Sequence, residues 1–267
     1  MSKIKIGFIG CGNMGGAIAL QVAHYPDAEV YVSDYSAEKA EVFAKEIGGI
    51  ATTNAEIAKK CEYIFLAVKP QVLPGVLEGI KGELCAREDR FVLVSMAAGV
   101  TIDKIKSLAG DFPVIRIMPN TPVAVGCGMI VYAVSADVAN SETAAFLGFM
   151  ASCGRLDSLD EVKIDAATAI HGCGPAFVYM FANAMADAGV ANGLTRDQAK
   201  EYSAQTLLGA AKMILETGKH PMELKDNVCS PGGSTIAGVM ALDGYAFNAG
   251  VEAAVNAAYE RTKELGK

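Results

Sequence analysis

Ser230-Pro231-Gly232-Gly233-Ser234-Thr235 gathers three hydroxyls, a proline and two glycines ahead of a helical pattern that begins at Ile236. Gly232 and Gly233 let backbone N–H groups turn toward a ligand with no Cβ in the way. A helix start adds unpaired N–H donors and a partial positive charge, which suits a small carboxylate. Thr235 either caps that helix or offers its hydroxyl to the same ligand. The residues equally suit an ordinary proline-glycine turn, so the rest of the chain must decide.

A second cluster lies at the other end. Gly10-Cys11-Gly12-Asn13-Met14-Gly15 follows the apolar run Ile4–Ile9 and opens the helix-like run Ala17–Val22. This is G-x-G-x-x-G between a strand and a helix, the context that gives the motif its meaning. Gly10 allows a tight turn, Gly12 the approach of a pyrophosphate, and Gly15 close helix–strand packing. A further strand, Glu29 to Asp34, ends in an acid about 20 residues on, where the adenosine ribose of a dinucleotide belongs. A carboxylate there repels a 2′-phosphate and points to NADH.

Other strand ends complete the ligand edge, because ligands bind at the carboxyl ends of parallel strands. Those ends are Gly10–Gly15, Ser33–Ser36, Ala67-Val68-Lys69-Pro70, Ala97-Ala98-Gly99 and Pro119-Asn120. Lys69 either approaches a phosphate or simply caps solvent. Asn120, between two prolines, is either a turn former or a polar contact near nicotinamide. The histidines offer little: His24 and His220 read as surface residues, and His171 as a buried, hydrogen-bonded one. Paired catalytic carboxylates, a Ser-His-Asp order and a phosphate-binding G-x-x-x-x-G-K-[ST] are all missing. The chemistry is therefore borne by a cofactor, with the protein supplying position and hydrogen bonds.

The elements that must hold these residues follow from periodicity. Apolar strands at 29–34, 49–53, 63–68, 91–96, 114–118, 129–134 and 155–159 join the first one, with helices at 36–47 and 142–153 among them. Strands apolar throughout and alternating with helices predict a mostly parallel sheet covered on both faces, an α/β Rossmann-type domain over 1–160. From 161 the strand signal stops, and 161–267 reads as an all-helical substrate and dimerisation domain. Its helices fall near 162–190, 196–216 and 247–265, with a capping box from Thr195 to Gln198.

Bulk properties narrow the partners. A formal charge of −7 and a pI near 5.1 argue against nucleic acid. Seven scattered cysteines without a C-x-x-C pair suggest neither a metal site nor a disulfide framework, and fit reduced thiols in a cytoplasm. Residues 166–186 carry no Asp, Glu, Lys or Arg. They contain His171, Pro175 and Asn183 and lack a basic flank, so a helix buried at a subunit interface is expected rather than a membrane span.

Taken together the motifs resemble pyrroline-5-carboxylate reductases, essentially end to end. The resemblance is carried by Phe8–Gly15, Ala67–Pro70, Ala97-Ala98-Gly99-Val100, Met118–Pro122 and, most specifically, Leu224–Thr235. It implies a Rossmann domain, a helical dimerisation domain, and active sites each completed by a partner subunit in a homodimer or a larger assembly of dimers. It implies that Ser230, Gly232, Gly233 and Ser234 cradle the substrate carboxylate and that Thr235 contacts the ring nitrogen. It places Asn54 near the adenosine ribose. The implied activity is reduction of 1-pyrroline-5-carboxylate to L-proline with NADPH or NADH.

Two departures stand out. His171-Gly172-Cys173-Gly174-Pro175-Ala176-Phe177 replaces the family's Ser-Gly-Ser-Gly-Pro-Ala-Tyr. The family more often uses NADPH, aided by small hydroxyls and a cation after the second strand; Ser33 and Ser36 remain here, but Tyr35 stands where a base would help. Two other classes compete: another imine or β-hydroxyacid reductase of this plan, and a non-catalytic nucleotide-binding regulator. The first of these, in its hydroxyacid form, needs a lysine on the long helix, and 166–199 has none. A regulator has no use for an empty carboxylate cradle.

Overall fold

Strands with β-branched and aromatic side chains on both faces can only be buried on both faces, and they are. In this computed structural model, which describes residues 3–265, they form one eight-stranded sheet. The strands are β1 (Ile4–Ile9), β2 (Ala28–Ser33), β3 (Ile50–Ala51), β4 (Tyr63–Leu66), β5 (Val92–Ser95), β6 (Val114–Met118), β7 (Gly128–Val134) and β8 (Gly154–Ser158). Their order is β3-β2-β1-β4-β5-β6-β7-β8. Only β7 against β6 is antiparallel; β8 returns parallel to β7.

The period of two sorts side chains between the layers. Ile6, Phe8, Tyr63, Phe65, Val92 and Val94 join one core; Ile9, Ile64, Leu66 and Leu93 join the other. Helices α1 (Asn13–Val22) and α2 (Ala37–Ile47) cover the first face, through Ile18 and Ala44. Helices α3 (Asn54–Lys60), α4 (Leu73–Cys85) and α5 (Ile102–Ala109) cover the second, through Ile57, Leu77 and Ile105. On the first face, α6 (Asn140–Met150) adds Phe146 and Phe149, the latter edge-on to Tyr63 with ring centroids 4.9 Å apart. Phe8 stacks on Phe65 at 4.3 Å.

Register brings the ligand edge together. Ile9 pairs with Ser33 on one side and Leu66 on the other, and Leu66 pairs in turn with Ser95. The loops after β1, β2, β4 and β5 therefore leave the sheet at one level. The sheet changes direction of growth between β1 and β4, the crevice where such sheets bind ligands.

After β8 the chain is helical: α7 (Ile164–His171), α8 (Gly174–Ala191), α9 (Arg196–Thr217), α10 (Pro221–Asn227), α11 (Ser234–Gly244) and α12 (Phe247–Leu265). Two compact units result. One holds the sheet and runs to Cys173, rejoined from Ala258 onward; the other is Gly174–Ala257. The strand pattern ends at Ser158, close to the sequence boundary at 160. Residues 161–173 nevertheless pack with the sheet, since Ile164 is fully buried in the second core and Arg116 of β6 pairs with Glu161.

The long helix expected over 162–190 is interrupted at Gly172-Cys173, giving α7 and α8. Within the described chain α8 is not buried on nearly all sides: only Ala186 is buried, and Tyr179 and Met180 are 62% and 73% exposed. Among the described residues no helix is long and apolar enough to cross a membrane. Thr195 and Gln198 form the capping box of α9 as the sequence indicates.

Candidate active site

The glycine loop separates into three geometries. Gly10 has φ +100°, and a Cβ there would stand 2.6 Å from the Ala67 carbonyl oxygen. Gly15 faces the same strand end, and its Cβ would meet the Gly10 oxygen at 2.5 Å and the Ala67 Cβ at 2.7 Å. Both are demanded by the fold. Gly12 is different: nothing lies within 4 Å of where its Cβ would be. It is the N-cap of α1, with extended backbone and no side-chain cap. The first-turn N–H groups of α1 thus face an open space with the helix's positive end behind them. Donors so placed can receive a phosphate, and a Cβ at residue 12 would enter that open space.

Beside this loop runs a cleft of about 390 Å³, lined among others by Gly12, Asp34, Asn54, Ala67, Val68 and Lys69. Ser33 is buried and its hydroxyl donates to Asn54 Oδ1 at 2.7 Å, fixing the asparagine amide at the cleft. Asn54 opens α3, whose N-cap is Thr53. Lys69 is exposed, while its carbonyl accepts the N–H groups of Val72 and Leu73 at the start of α4. Pro70 is half-buried and Ala97 fully buried, its N–H donating to Ser95 Oγ. Asn13 is exposed and Met14 packs on the first core.

Asp34 is engaged with the protein itself. Its Oδ2 accepts the Cys11 N–H at 3.0 Å, the Cys11 thiol at 3.5 Å and Lys39 Nζ at 3.4 Å; Oδ1 accepts the Ser36 N–H at 3.3 Å. Burial alone would raise this carboxyl's pKa, but the Cys11 and Ser36 N–H groups, the thiol and Lys39 outweigh it and hold it below the ordinary value. The Cys11 thiol is pushed up to about 11, by burial first and by Asp34 next, and is no nucleophile. Cys11 therefore spends its N–H on Asp34 and does not offer it to a ligand. Lys39 supplies a cation at the end of β2, which sequence reading missed. The signal was there: Ser36 caps α2, which puts Lys39 in the first turn, facing back to residue 34.

Asn120 is 8% exposed and doubly engaged: Nδ2 donates to the His171 carbonyl at 2.9 Å and Oδ1 accepts the Met129 N–H at 2.8 Å. His171 is buried and hydrogen-bonded as the sequence suggests, with ring nitrogens 2.8 Å from the Met118 oxygen and 2.6 Å from the Ala167 oxygen. His24 and His220 are exposed, and His220 caps α10.

The Ser-Pro-Gly-Gly segment lies in the helical unit. Here the structure corrects the sequence reading. Helix α11 starts at Ser234, not Ile236, and its N-cap is Gly233 with no side-chain cap. Thr235 is inside the first turn, so its hydroxyl is not a cap. Two glycines let the turn close and the helix begin early: Gly232 has φ +69°, and a Cβ on Gly233 would collide with the Ser230 hydroxyl oxygen. The Gly233 N–H donates to the Ser230 carbonyl at 3.0 Å. The first-turn donors are thus Ser234, Thr235 and Ile236, with exposed hydroxyls on Ser230, Ser234 and Thr235 around them. Such a helix start can hold a small anion with a hydrogen-bonding atom beside it.

Comparison with known proteins finds two family models. "NADP oxidoreductase coenzyme F420-dependent" matches residues 5–99, and "Pyrroline-5-carboxylate reductase dimerisation" matches 161–265. The pyrroline-5-carboxylate reductase of Escherichia coli K12 is 41% identical over 98% of both chains. That of Arabidopsis thaliana is 37% identical over 99% of this chain and 96% of its own. Among solved structures, Plasmodium falciparum pyrroline carboxylate reductase with NADP bound superposes with a TM-score of 0.88 at 34% identity, covering all of both chains. A nucleotide loop with an open glycine, an uncapped helix start behind two further glycines, and this similarity over the whole length lead to one assignment: the chain belongs to the pyrroline-5-carboxylate reductase family.

Proposed function

We infer that this protein reduces 1-pyrroline-5-carboxylate to L-proline with NADPH or NADH, the last step of proline biosynthesis. The observation that carries the reading is 37–41% identity, over nearly the full length, to reductases of that name. When bound, the reduced nicotinamide supplies a hydride to the imine carbon while the ring nitrogen takes a proton, leaving the secondary amine and the oxidised cofactor.

Each part of the chain has a task in this reading. Residues 1–160 bind the dinucleotide: the α1 start at Gly12–Gly15 takes the pyrophosphate, and Ser33 and Asn54 the ribose. The nicotinamide half then extends the other way, past Ala67–Pro70 and Ala97 toward Asn120. Residues 161–267 bind substrate and partner. The Ser234 and Thr235 N–H groups receive the carboxylate, and the Thr235 hydroxyl contacts the ring nitrogen. An imine accepts a proton readily, so orientation and charge matching suffice without a strong dedicated acid.

The cofactor edge supports use of both forms. Asp34 is turned to the loop, and Lys39 with Ser36 offers a 2′-phosphate a cation and a hydroxyl. The exposed apolar side chains of the helical unit support a homo-oligomer built from dimers, and seven free cysteines support a cytoplasmic setting. Purified protein given 1-pyrroline-5-carboxylate should consume the absorbance of reduced nicotinamide. No consumption with either cofactor overturns the assignment.

A further inference from the structure

We propose that His171 is a positioning residue for this reaction, a two-point clamp on the chain that leaves β6. The inference rests on the reading above, in which the nicotinamide half runs along the ends of β4 to β6. One point is the side chain: Nε2 lies 2.8 Å from the carbonyl oxygen of Met118, the last residue of β6. The other is the main chain: the His171 carbonyl accepts Asn120 Nδ2 at 2.9 Å. Asn120 carries the restraint on to β7, since its Oδ1 accepts the Met129 N–H. Between the two points stands Pro119, which has no N–H to hold itself in place.

The clamp is itself fixed. Nδ1 of His171 lies 2.6 Å from the Ala167 oxygen, one turn back in α7. The start of α7 is tied to the same strand. Glu161 Oε1 accepts Arg116 Nη1 at 2.9 Å and the Ile102 N–H at 2.8 Å, and Asp165 lies 3.6 Å from Arg116 Nη2. Arg116 and Met118 are two apart on β6 and so share a face of the sheet. Helix α7 is thereby tied to β6 at both ends, and His171 forms the tie at the strand's carboxyl end. Both ring partners are carbonyl oxygens, which only accept; a neutral imidazole has one N–H to give, and the clamp is the tautomer that gives it from Nε2 to Met118, a role an apolar side chain of equal size cannot fill. Hydride transfer is sensitive to this kind of placement: a shift of about 1 Å costs roughly a hundredfold.

Two replacements test the clamp. His171→Leu keeps the bulk and removes the ring N–H; His171→Gln restores a donor for Met118. With 1-pyrroline-5-carboxylate and NADPH, His171→Leu is expected to lower kcat by about 10- to 100-fold. KM for NADPH should change by less than about twofold, because the glycine loop is untouched. His171→Gln should recover most of kcat. An unchanged kcat in His171→Leu overturns the clamp. So does a loss shared equally by both variants that follows their melting temperatures. Should the wild type fail to reduce the imine, the proposed function fails by itself and the fluorescence of bound NADPH decides the clamp. Altered emission in His171→Leu that returns in His171→Gln supports it; identical emission in all three proteins overturns it.

Discussion

At the scale of single residues, neighbours of one type do different work. Gly10 and Gly15 are needed by the fold, whereas Gly12 faces open space. Gly12→Val is therefore expected to leave the melting temperature near wild type and to abolish dinucleotide binding, measured by titration; unchanged affinity would make the loop structural only. Asp34→Ser should raise turnover with NADPH relative to NADH, since it removes a charge near the 2′ position and frees Lys39. The same change unpairs the Cys11 N–H, so affinity for both cofactors should fall somewhat. Asp34 also carries a sign for pH. Its carboxyl is held below its ordinary value near 3.8, so its contribution to stability is full above that value and is lost as the pH falls through the lowered one. Asp34→Ser should flatten that acid limb in a pH series of unfolding curves. Thr235→Ala removes one hydroxyl donor from the proposed ring nitrogen, worth about 1–3 kcal/mol, or roughly a ten- to hundredfold fall in kcat/KM. Because Gly233 is the N-cap, stability should stay within about 0.5 kcal/mol. Loss of stability with full activity would return Thr235 to a structural role.

At the scale of elements, what the sequence revealed depended on how local the cause was. β6 spans the expected Val114–Met118, because a mostly apolar run is stopped by Pro119. Helix α2 was legible from Ala40 and Ala44 at helical spacing, both buried. Helix α11 starts two residues before the expected Ile236, because Gly233 caps it with no side-chain hydrogen bond to mark the position. The glycine motif was visible from spacing. The Asp34–Cys11 bond, the Arg116–Glu161 pair and the grip of His171 on Met118 were not, since each joins residues far apart in the chain. Where a cap is local, its cost is predictable. Thr195→Ala removes the side-chain arm of the α9 capping box, the Thr195 hydroxyl that accepts the Gln198 N–H, and should cost about 1 kcal/mol in denaturant unfolding. No change in the midpoint would mean that packing alone fixes the helix start.

At the scale of the molecule, the two units bury apolar surface very differently. Most large apolar residues of the sheet strands are buried, whereas Tyr179, Met180, Leu208, Leu215, Met240 and Tyr245 of the helical unit are more than half exposed. So much apolar surface needs a cover. An obligate dimer formed through 161–267 is expected in sedimentation, and a stable, active monomer at high dilution would contradict it. The cysteines follow the same division between withdrawn and accessible. Cys11, Cys61 and Cys153 are buried, with thiols pushed up to about 11, 12 and 12, chiefly by burial, whereas Cys85 and Cys127 are exposed. The chain consequently contains its own clock: a thiol reagent marks Cys85 and Cys127 at once, and reaches the three hidden sulfurs only as fast as the segments around them open.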